Sequence, residues 1–591
     1  MPASFRRVFF LRSLIAFVYS AWAAISFAGE RPNVLVLLAD DQGWGDLSLH
    51  GNRNLQTPYL DAIAEQGAQF EQFFVCPVCA PTRAEFLTGR YHRRTGVTGV
   101  SRGEERMNAD EVTVAGLFQE AGYATGAFGK WHNGTQPPLH PIDRGFDTFY
   151  GFTSGHWSHY FNVPMDRDNR RVRGQGFIAD DIANHAIKFL TESRERPFFC
   201  YVAFNTPHSP MMVPDLFYDR FADRSLAMKH RDPAREDAAM TKAALALCEN
   251  LDWNVGRILA SLRAVSAEQN TIVVYFSDNG PNSWRWNGGL KGKKGSIDEG
   301  GVKSPLFIRW PDHIAAGTRI QQLAGAIDLL PTLCSLASVQ IEGTKPVDGM
   351  DLSQVLLGAS ESSPDRTLFS VRRQQVSARS QRFRLDADGR LFDMQSDPGQ
   401  SMDVANRFPE VARRLGQQAD LFRQQVLSST DESESRPFHV GYGPLSMLPA
   451  RDATATGSIQ RSSKAPNNSF FTNWVDVDDV IEWSVDVGQS GQYEFVLWQT
   501  CRAKDTGVSI ALTAGSQQVS KTIETAFDPP LYDKSKERVE ESHYHMKDFR
   551  QVTLGRLDLP AGTTTFTLSV ADRPGPRAVD VYALDVHRIE D

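Results

Sequence analysis

Apolar runs and amphipathic stretches alternate along the first half of the chain. Asn33-Val34-Leu35-Val36-Leu37-Leu38-Ala39 is apolar throughout, as a strand buried on both faces must be. Thr57-Pro58 opens a helix with Leu60, Ile63 and Ala64 on one face and Gly67 at its end. A second helix starts near Cys79, with Pro81 suited to its first position, Ala84, Phe86 and Leu87 turned inward, and Gly89 as its stop. Thr113 caps a third, which runs through Phe118 to Gly122 and leads into a strand from Tyr123 to His132. Ala179 to Glu192, carrying Ile182, Ala186, Phe189 and Leu190 on one side, feeds the strand Pro197 to Phe204. A long helical segment from about Ala238 to Leu262 precedes the strand Thr271 to Phe276. Strands and helices in turn, to about residue 340, predict an α/β fold with a mostly parallel sheet flanked by helices.

The texture changes later in the chain. Leu427 to Pro437 is polar and without apolar period, which predicts a linker over 428–445. Beyond it Ile481 to Val487 and Thr565 to Val570 alternate strictly, and Tyr493 to Trp498 follows a turn at Gly488–Gly491. This predicts an all-β sandwich over 446–591.

A chain of 591 residues is too long for one ordinary domain, so a division of this kind is expected. The N-terminus stands apart from the fold. Arg6, Arg7 and Arg12 precede the apolar run Leu14 to Phe27, and Ser26-Phe27-Ala28 suits cleavage of a signal peptide spanning 1–28. An uncleaved anchor is the alternative; no other stretch is long enough to span a bilayer. Loss of the leader takes the formal charge from −8 to −11 by removing Arg6, Arg7 and Arg12. A net acidic chain is a poor nucleic-acid binder. Export makes the expected location secreted or periplasmic. Six cysteines in so long a chain do not make a disulfide scaffold, and their pairing is not readable.

The chemistry gathers at predicted strand ends. Asp40 and Asp41 follow the first strand, Lys130 and His132 end the second and alternate by two onto one side, Asn205-Thr206-Pro207-His208 follows the third, and Asp278-Asn279 the fourth. Asp40, Asp41, Asp278 and Asn279 form an all-oxygen donor set, which suits Ca²⁺ or Mg²⁺ rather than zinc. Cys79 would face free N–H groups at the start of its helix, with Arg83 one turn on. The basic, glycine-rich stretch Leu290 to Gly301, containing Lys291, Lys293 and Lys294, suits an anion. Other readings of Cys79 are weaker. Cys76-x-x-Cys79 lacks a second ligand pair for zinc, a thiol phosphatase would want Arg where Glu85 stands, and a merely buried cysteine leaves the neighbouring Pro81 and Arg83 unexplained. A hard cation and basic side chains around an anion describe hydrolysis of a sulfate or phosphate ester.

Taken together, these segments resemble the formylglycine-dependent (type I) sulfatases of the alkaline phosphatase superfamily. Cys79 to Arg90 resembles the family's first signature, with Thr82 where Ser is commoner, and Gly122 to His132 its second. Asp40-Asp41, Thr206-Pro207-His208, Ser277 to Gly280 and Lys294 to Gly301 extend the likeness. Arg390 to Met394 and Asp397-Pro398-Gly399 continue it into a smaller α+β subdomain. The resemblance implies an alkaline-phosphatase-like catalytic domain over 29–345 and the subdomain over 346–427. It implies that a formylglycine-generating maturation enzyme oxidises Cys79 to Cα-formylglycine (3-oxoalanine), whose hydrate attacks with one hydroxyl and expels sulfate through the other. Asp40, Asp41, Asp278 and Asn279 would bind one Ca²⁺ (Mg²⁺ being the lesser choice), Arg83 would stabilise the hydrate and Lys130 the sulfate oxygens. His132 would take the second hydroxyl's proton. His208 and Lys294 would bind sulfate and assist the leaving alcohol, with His208 as proton donor.

The expected substrate is a sulfated carbohydrate. His156, Trp157, His159 and Tyr160, with Asp166 and Arg167, are candidates for the sugar pocket against the alternative of a packed surface loop. The C-terminal sandwich resembles galactose-binding-like jelly rolls, and Trp474, Tyr532 and Tyr544 could stack on sugar rings or simply pack; the module could equally cap the catalytic domain. Two other functions compete: a phosphodiesterase or phosphonate monoester hydrolase of the same superfamily, and a catalytically dead glycan-binding protein.

Overall fold

The computed structural model describes residues 31–193, 195–360, 365–428, 436–540 and 545–589. The expected leader, Tyr544 and residues 429–435 of the polar stretch lie outside the described residues. Among those described, no helix is long and apolar enough to cross a membrane.

A ten-stranded sheet organises the first half of the chain. Its centre runs Leu306–Arg309, Thr271–Ser277, Asn33–Ala39, Phe198–Ala203, Ala124–Lys130, Thr148–Phe152. From the Thr271 strand to the Thr148 strand all pairings are parallel, and antiparallel strands sit at both margins. The Asn33 strand shows why its sequence is apolar without a break. Val34, Val36 and Leu38 enter the core on one face of the sheet, and Leu35, Leu37 and Ala39 enter the core on the other. The helices Ile178–Glu192 and Ala238–Ala264 cover the second face, and Cys79–Thr88, Val114–Glu120 and Leu329–Leu336 cover the first. Thr113 caps its helix as expected, its hydroxyl accepting from Gly116 N at 3.1 Å.

Two local expectations are corrected. The Cys79 helix begins at Cys79 itself, so Pro81 is its third residue rather than its first. Proline is tolerated there because first-turn N–H groups have no intrahelical partner. The strand that was to carry both Lys130 and His132 stops at Lys130, and His132 takes a left-handed backbone (φ 64°). Strand alternation therefore does not place His132; a turn does.

Every residue of the Cys79 helix is buried, including Glu85, whose carboxylate accepts from His92 N at 3.2 Å. Burial lifts the Glu85 carboxyl to about 8, against the hydrogen bonds from Cys76 and His92. A group whose folded pKa is raised contributes stability that is fully present below its unfolded value of 4.5 and is lost as pH rises through 8. Glu85→Gln removes that dependence. The melting temperature of the variant relative to wild type should therefore climb between pH 5 and pH 8.5, by the equivalent of up to about 4 kcal/mol. A pH-independent difference would contradict a neutral, buried Glu85.

A four-stranded antiparallel sheet (Leu368–Arg372, Gln375–Arg379, Phe383–Leu385, Leu391–Asp393) packs against the helix Pro409–Phe422 and forms the small α+β unit. The C-terminal region is two facing antiparallel-rich sheets sharing one core. Ile481–Val487 alternates buried and half-buried residues along its whole length, as its sequence required. Phe438–Val440 pairs with this strand, so part of the expected linker belongs to the sandwich; three residues are too few to show a period. Trp474 is buried in the sandwich core, its Nε1 donating to Asp479 O at 3.2 Å. All six cysteines are buried free thiols.

Candidate active site

Four adjacent parallel strands release their chains at one edge of the sheet. Ala39 gives way to Asp40 and Asp41, Ser277 to Asp278 and Asn279, and Ala203 to the turn that carries His208; Lys130 is the last residue of its strand. Backbone hydrogen bonds lock these ends together: Asp278 N donates to Ala39 O at 3.1 Å and Asp40 N to Thr206 O at 3.1 Å. The Cys79 helix delivers Cys79 and Arg83 to the same place. Thr82 ties it down, its Oγ1 donating to Asp278 O at 2.6 Å and accepting from Cys76 N at 2.8 Å.

Three carboxylates and three cations pair there, all buried except Lys294, which is half-buried. Lys130 Nζ lies 2.7 Å from Asp40 Oδ2, and Lys294 Nζ lies 2.6 Å from Asp41 Oδ1. Arg83 donates through Nε (3.1 Å) and Nη2 (2.8 Å) to Asp278 Oδ2, and through Nη1 (2.6 Å) to the Lys130 carbonyl. Asn279 Nδ2 donates to Asp41 Oδ1 at 2.8 Å. Burial alone would raise the Asp41 carboxyl, but Lys294 and His208 hold it well below the usual range. Burial and Asp40 lift Asp278 to about 6 against the pull of Arg83. Lys294 stays protonated because Asp41 outweighs its burial.

Acceptors are left over. Asp40 Oδ1, Asp41 Oδ2 and Asn279 Oδ1 are buried without a hydrogen-bond partner. One ligand atom each from Asp40, Asp41 and His208, and again from Asp40, Cys79 and Asp278, lie within 4.8 Å of one another. Unpartnered buried oxygens of this kind fit a hard cation. Since the six side chains already balance in charge, a dication entering the site calls for an anion beside it.

The two histidines are fixed as neutral rings with defined tautomers. His132 Nε2 lies 2.8 Å from Val100 O and so carries the proton; Nδ1 is left as a buried acceptor without a partner. His208 Nδ1 donates to Ser209 O at 2.7 Å, leaving Nε2 3.7 Å from Asp41 Oδ2. Burial and Lys294 push His208 down to about 3, and burial and Lys130 push His132 well below its ordinary value. Burial also raises the Cys79 thiol, against Lys130 and Lys294, so it is not a ready thiolate.

The glycine-rich stretch separates its lysines. Lys291 pairs with Asp298 at 3.1 Å and Lys293 donates to Asn282 O at 3.1 Å, both serving the loop itself. Lys294 alone turns to the carboxylates. Gly295 makes this possible: its φ is 87°, and a Cβ there would come within 1.9 Å of Arg372 Nη1.

The sugar-pocket candidates divide: His156 joins the histidine turn, while Trp157 and His159 line a cavity of about 260 Å³ with Tyr532. His156 is buried and stacks on His208, with ring centroids 5.7 Å apart. Trp157 stacks on Phe152, and His159 meets Tyr532 of the sandwich at 5.3 Å. Tyr160 is wholly buried, its hydroxyl 2.8 Å from His208 O, so it shapes the histidine turn. Asp166 pairs with His140 at 3.1 Å, and Arg167 lies over the Tyr150 ring. Tyr532 donates to Asp548 Oδ1 and is covered by Arg173.

Sequence reading passed over three contributors. Arg285 is bound to Asp46 (2.6 Å) and also donates to Asp41 O at 3.0 Å, fixing the backbone of a site residue. From the sandwich, Asn467 Nδ2 donates to Val100 O at 2.8 Å, the carbonyl that orients His132, and Arg451 donates to Thr135 Oγ1. Asp46 stands beside Asp40-Asp41 in sequence and could have drawn notice; the other partners are too distant to be read.

Known proteins point the same way. A family model described as Sulfatase matches residues 32–339. Canis lupus familiaris N-acetylgalactosamine-6-sulfatase is 31% identical over 401 residues, covering 62% of this chain and 73% of the relative. Bos taurus arylsulfatase A is 29% identical over 513 residues, covering 75% and 95%. Among solved structures, Ps i-CgsB in complex with k-i-k-neocarrahexaose superposes with a TM-score of 0.61 at 26% identity, covering 66% of this chain and 93% of that one. With the strand-end carboxylates, the Cys79–Arg83 helix start and this likeness in agreement, the chain belongs to the sulfatase family and is a sulfuric ester hydrolase.

Proposed function

We propose that this protein removes sulfate from a sulfated carbohydrate, using Cys79 converted to Cα-formylglycine and a Ca²⁺ ion held by Asp40, Asp41, Asp278 and Asn279. The observation that carries this reading is the charge-balanced cluster around Cys79 with three unpartnered acceptor oxygens. The carbohydrate class is supported by the similarity to Ps i-CgsB, which was crystallised with an oligosaccharide, and to N-acetylgalactosamine-6-sulfatase.

Bound Ca²⁺ would supply electrostatic stabilisation for a sulfate oxygen, and the matured Cys79 a hydroxyl nucleophile in place of the thiol. The chain's own groups do the rest. Lys130 and Lys294 stand opposite each other across Asp40 and Asp41 and present ammonium groups to the sulfate oxygens. Arg83 fixes the start of the helix and Asp278 together, orienting the nucleophile's residue. His132 offers Nδ1 as a base because Val100 holds its other proton. His208 enters neutral; an arriving anionic ester would raise its affinity for the proton that the leaving alcohol requires. A neutral His156 stacked against it excludes water from that side.

The sandwich acts first as a wall of this pocket, resembling galactose-binding-like modules in architecture. Its support is the set of contacts from Arg451 and Asn467, and the burial of Trp474 in the sandwich core. The Arg-flanked apolar run at 1–28 supports export to the periplasm or outside the cell.

Matched aryl sulfate and aryl phosphate esters test the reaction class. The sulfate should turn over at least tenfold faster; faster phosphate turnover would replace this reading with a phosphodiesterase or phosphonate monoester hydrolase. Turnover of both should fall on chelation and return with Ca²⁺ in preference to Mg²⁺.

A further inference from the structure

A cleft of about 880 Å³ opens beside the catalytic helix, lined in part by Val78, which precedes Cys79, and by Pro81, two residues after it. Its far wall is the hairpin of the small subdomain. Arg372 and Arg373 stand at the turn between the strands Leu368–Arg372 and Gln375–Arg379. Arg372 is seated against Gly295, the residue next to Lys294, so the wall of the cleft touches the loop that carries a catalytic cation. Arg102, from the loop after Val100, lines the same cleft.

The lining is strongly one-signed. Five arginines contribute to it and one carboxylate, Glu104. Arg106 and Arg436 are occupied: they donate to the carbonyls of Pro437 and Gly96 respectively, and Arg106 covers the Phe438 ring. Arg102, Arg372 and Arg373 have no carboxylate partner among the described residues. Arg373 holds its place at a backbone cost, with a φ of 53° where glycine or asparagine would be unstrained. Burial and the adjacent Arg373 both disfavour the charge on Arg372. Two guanidinium groups at this hairpin turn and a third elsewhere in the lining, none with a carboxylate partner among the described residues, are arranged for an anion.

We infer that this cleft binds a second oxyanion of the substrate, a sulfate or carboxylate on a sugar neighbouring the one that is desulfated, through Arg372, Arg373 and Arg102. This rests on the carbohydrate sulfatase reading and narrows it to polyanionic glycans. The site then discriminates between substrates by charge away from the reacting ester.

The test compares kcat/KM on three substrates: a monosulfated saccharide, the same sugar linked to a second sulfated residue, and the same sugar linked to a uronic acid. In wild type the dianionic substrates should be preferred, the sulfated or the uronic one by the larger margin according to which anion the cleft takes. Arg372→Gln/Arg373→Gln should lower the ratio of dianionic to monoanionic kcat/KM at least tenfold, Arg102→Gln by less. Arg372→Lys/Arg373→Lys should restore part of the ratio, and raised salt should erode the wild-type ratio but not that of the Gln variant. An unchanged ratio in the Gln variant, with the monosulfated saccharide still hydrolysed by wild type, would overturn the cleft assignment alone. No hydrolysis of any sulfated saccharide by wild type, with aryl sulfate still cleaved, would overturn the carbohydrate reading on which it rests.

Discussion

Cys79→Ala should lose sulfatase turnover by roughly 10⁴-fold or more while the protein still folds. The side chain is buried at the first turn of its helix, and the alanine leaves every ion pair of the site in place. What disappears is the thiol that conversion to formylglycine requires, so Cβ stays a methyl group and never carries the attacking hydroxyl. Initial rates on an aryl sulfate, beside a thermal melt, separate the two effects. Turnover within tenfold of wild type would remove Cys79 from the chemistry.

Arg83→Lys is expected to show the next largest effect. Arg83 is wholly buried and makes three hydrogen bonds, two to one Asp278 oxygen and one to the Lys130 carbonyl. A lysine keeps the charge but cannot reproduce the planar fork, so kcat should fall about 10²–10³-fold with a smaller change in stability. Arg83→Ala goes further, leaving Asp278 buried without its counterion at a cost of about 3–5 kcal/mol. Equal kcat for Arg83→Lys and wild type would mean that Arg83 supplies charge alone and positions nothing.

How much of this was legible depended on how local the cause was. The Asn33 strand could be read residue by residue because burial on both faces dictates an apolar run, and the acids after it because parallel strands deliver their ends to one edge. His132 was placed in the right neighbourhood for the wrong reason: a left-handed turn, invisible in composition, carries it there. Of three lysines in one loop, only the folded path through Gly295 shows that Lys294 faces the carboxylates. The pairing of Arg285 with Asp46 spans 239 residues and left no local trace. The surroundings of the stretch from His156 to Tyr160 were hidden for a related reason. Its rings meet the histidine turn and the sandwich, and the sandwich belongs to a distant part of the chain.

In the proposed mechanism, sulfate ester hydrolysis depends on conversion of Cys79 to an aldehyde within a cation-binding cluster. Mass spectrometry of the Cys79 peptide, taken from fractions of one preparation that differ in specific activity, tests it most directly. The fraction of peptide carrying formylglycine should rise in proportion to aryl sulfate turnover. Full activity in fractions whose Cys79 is entirely an unmodified thiol would contradict it.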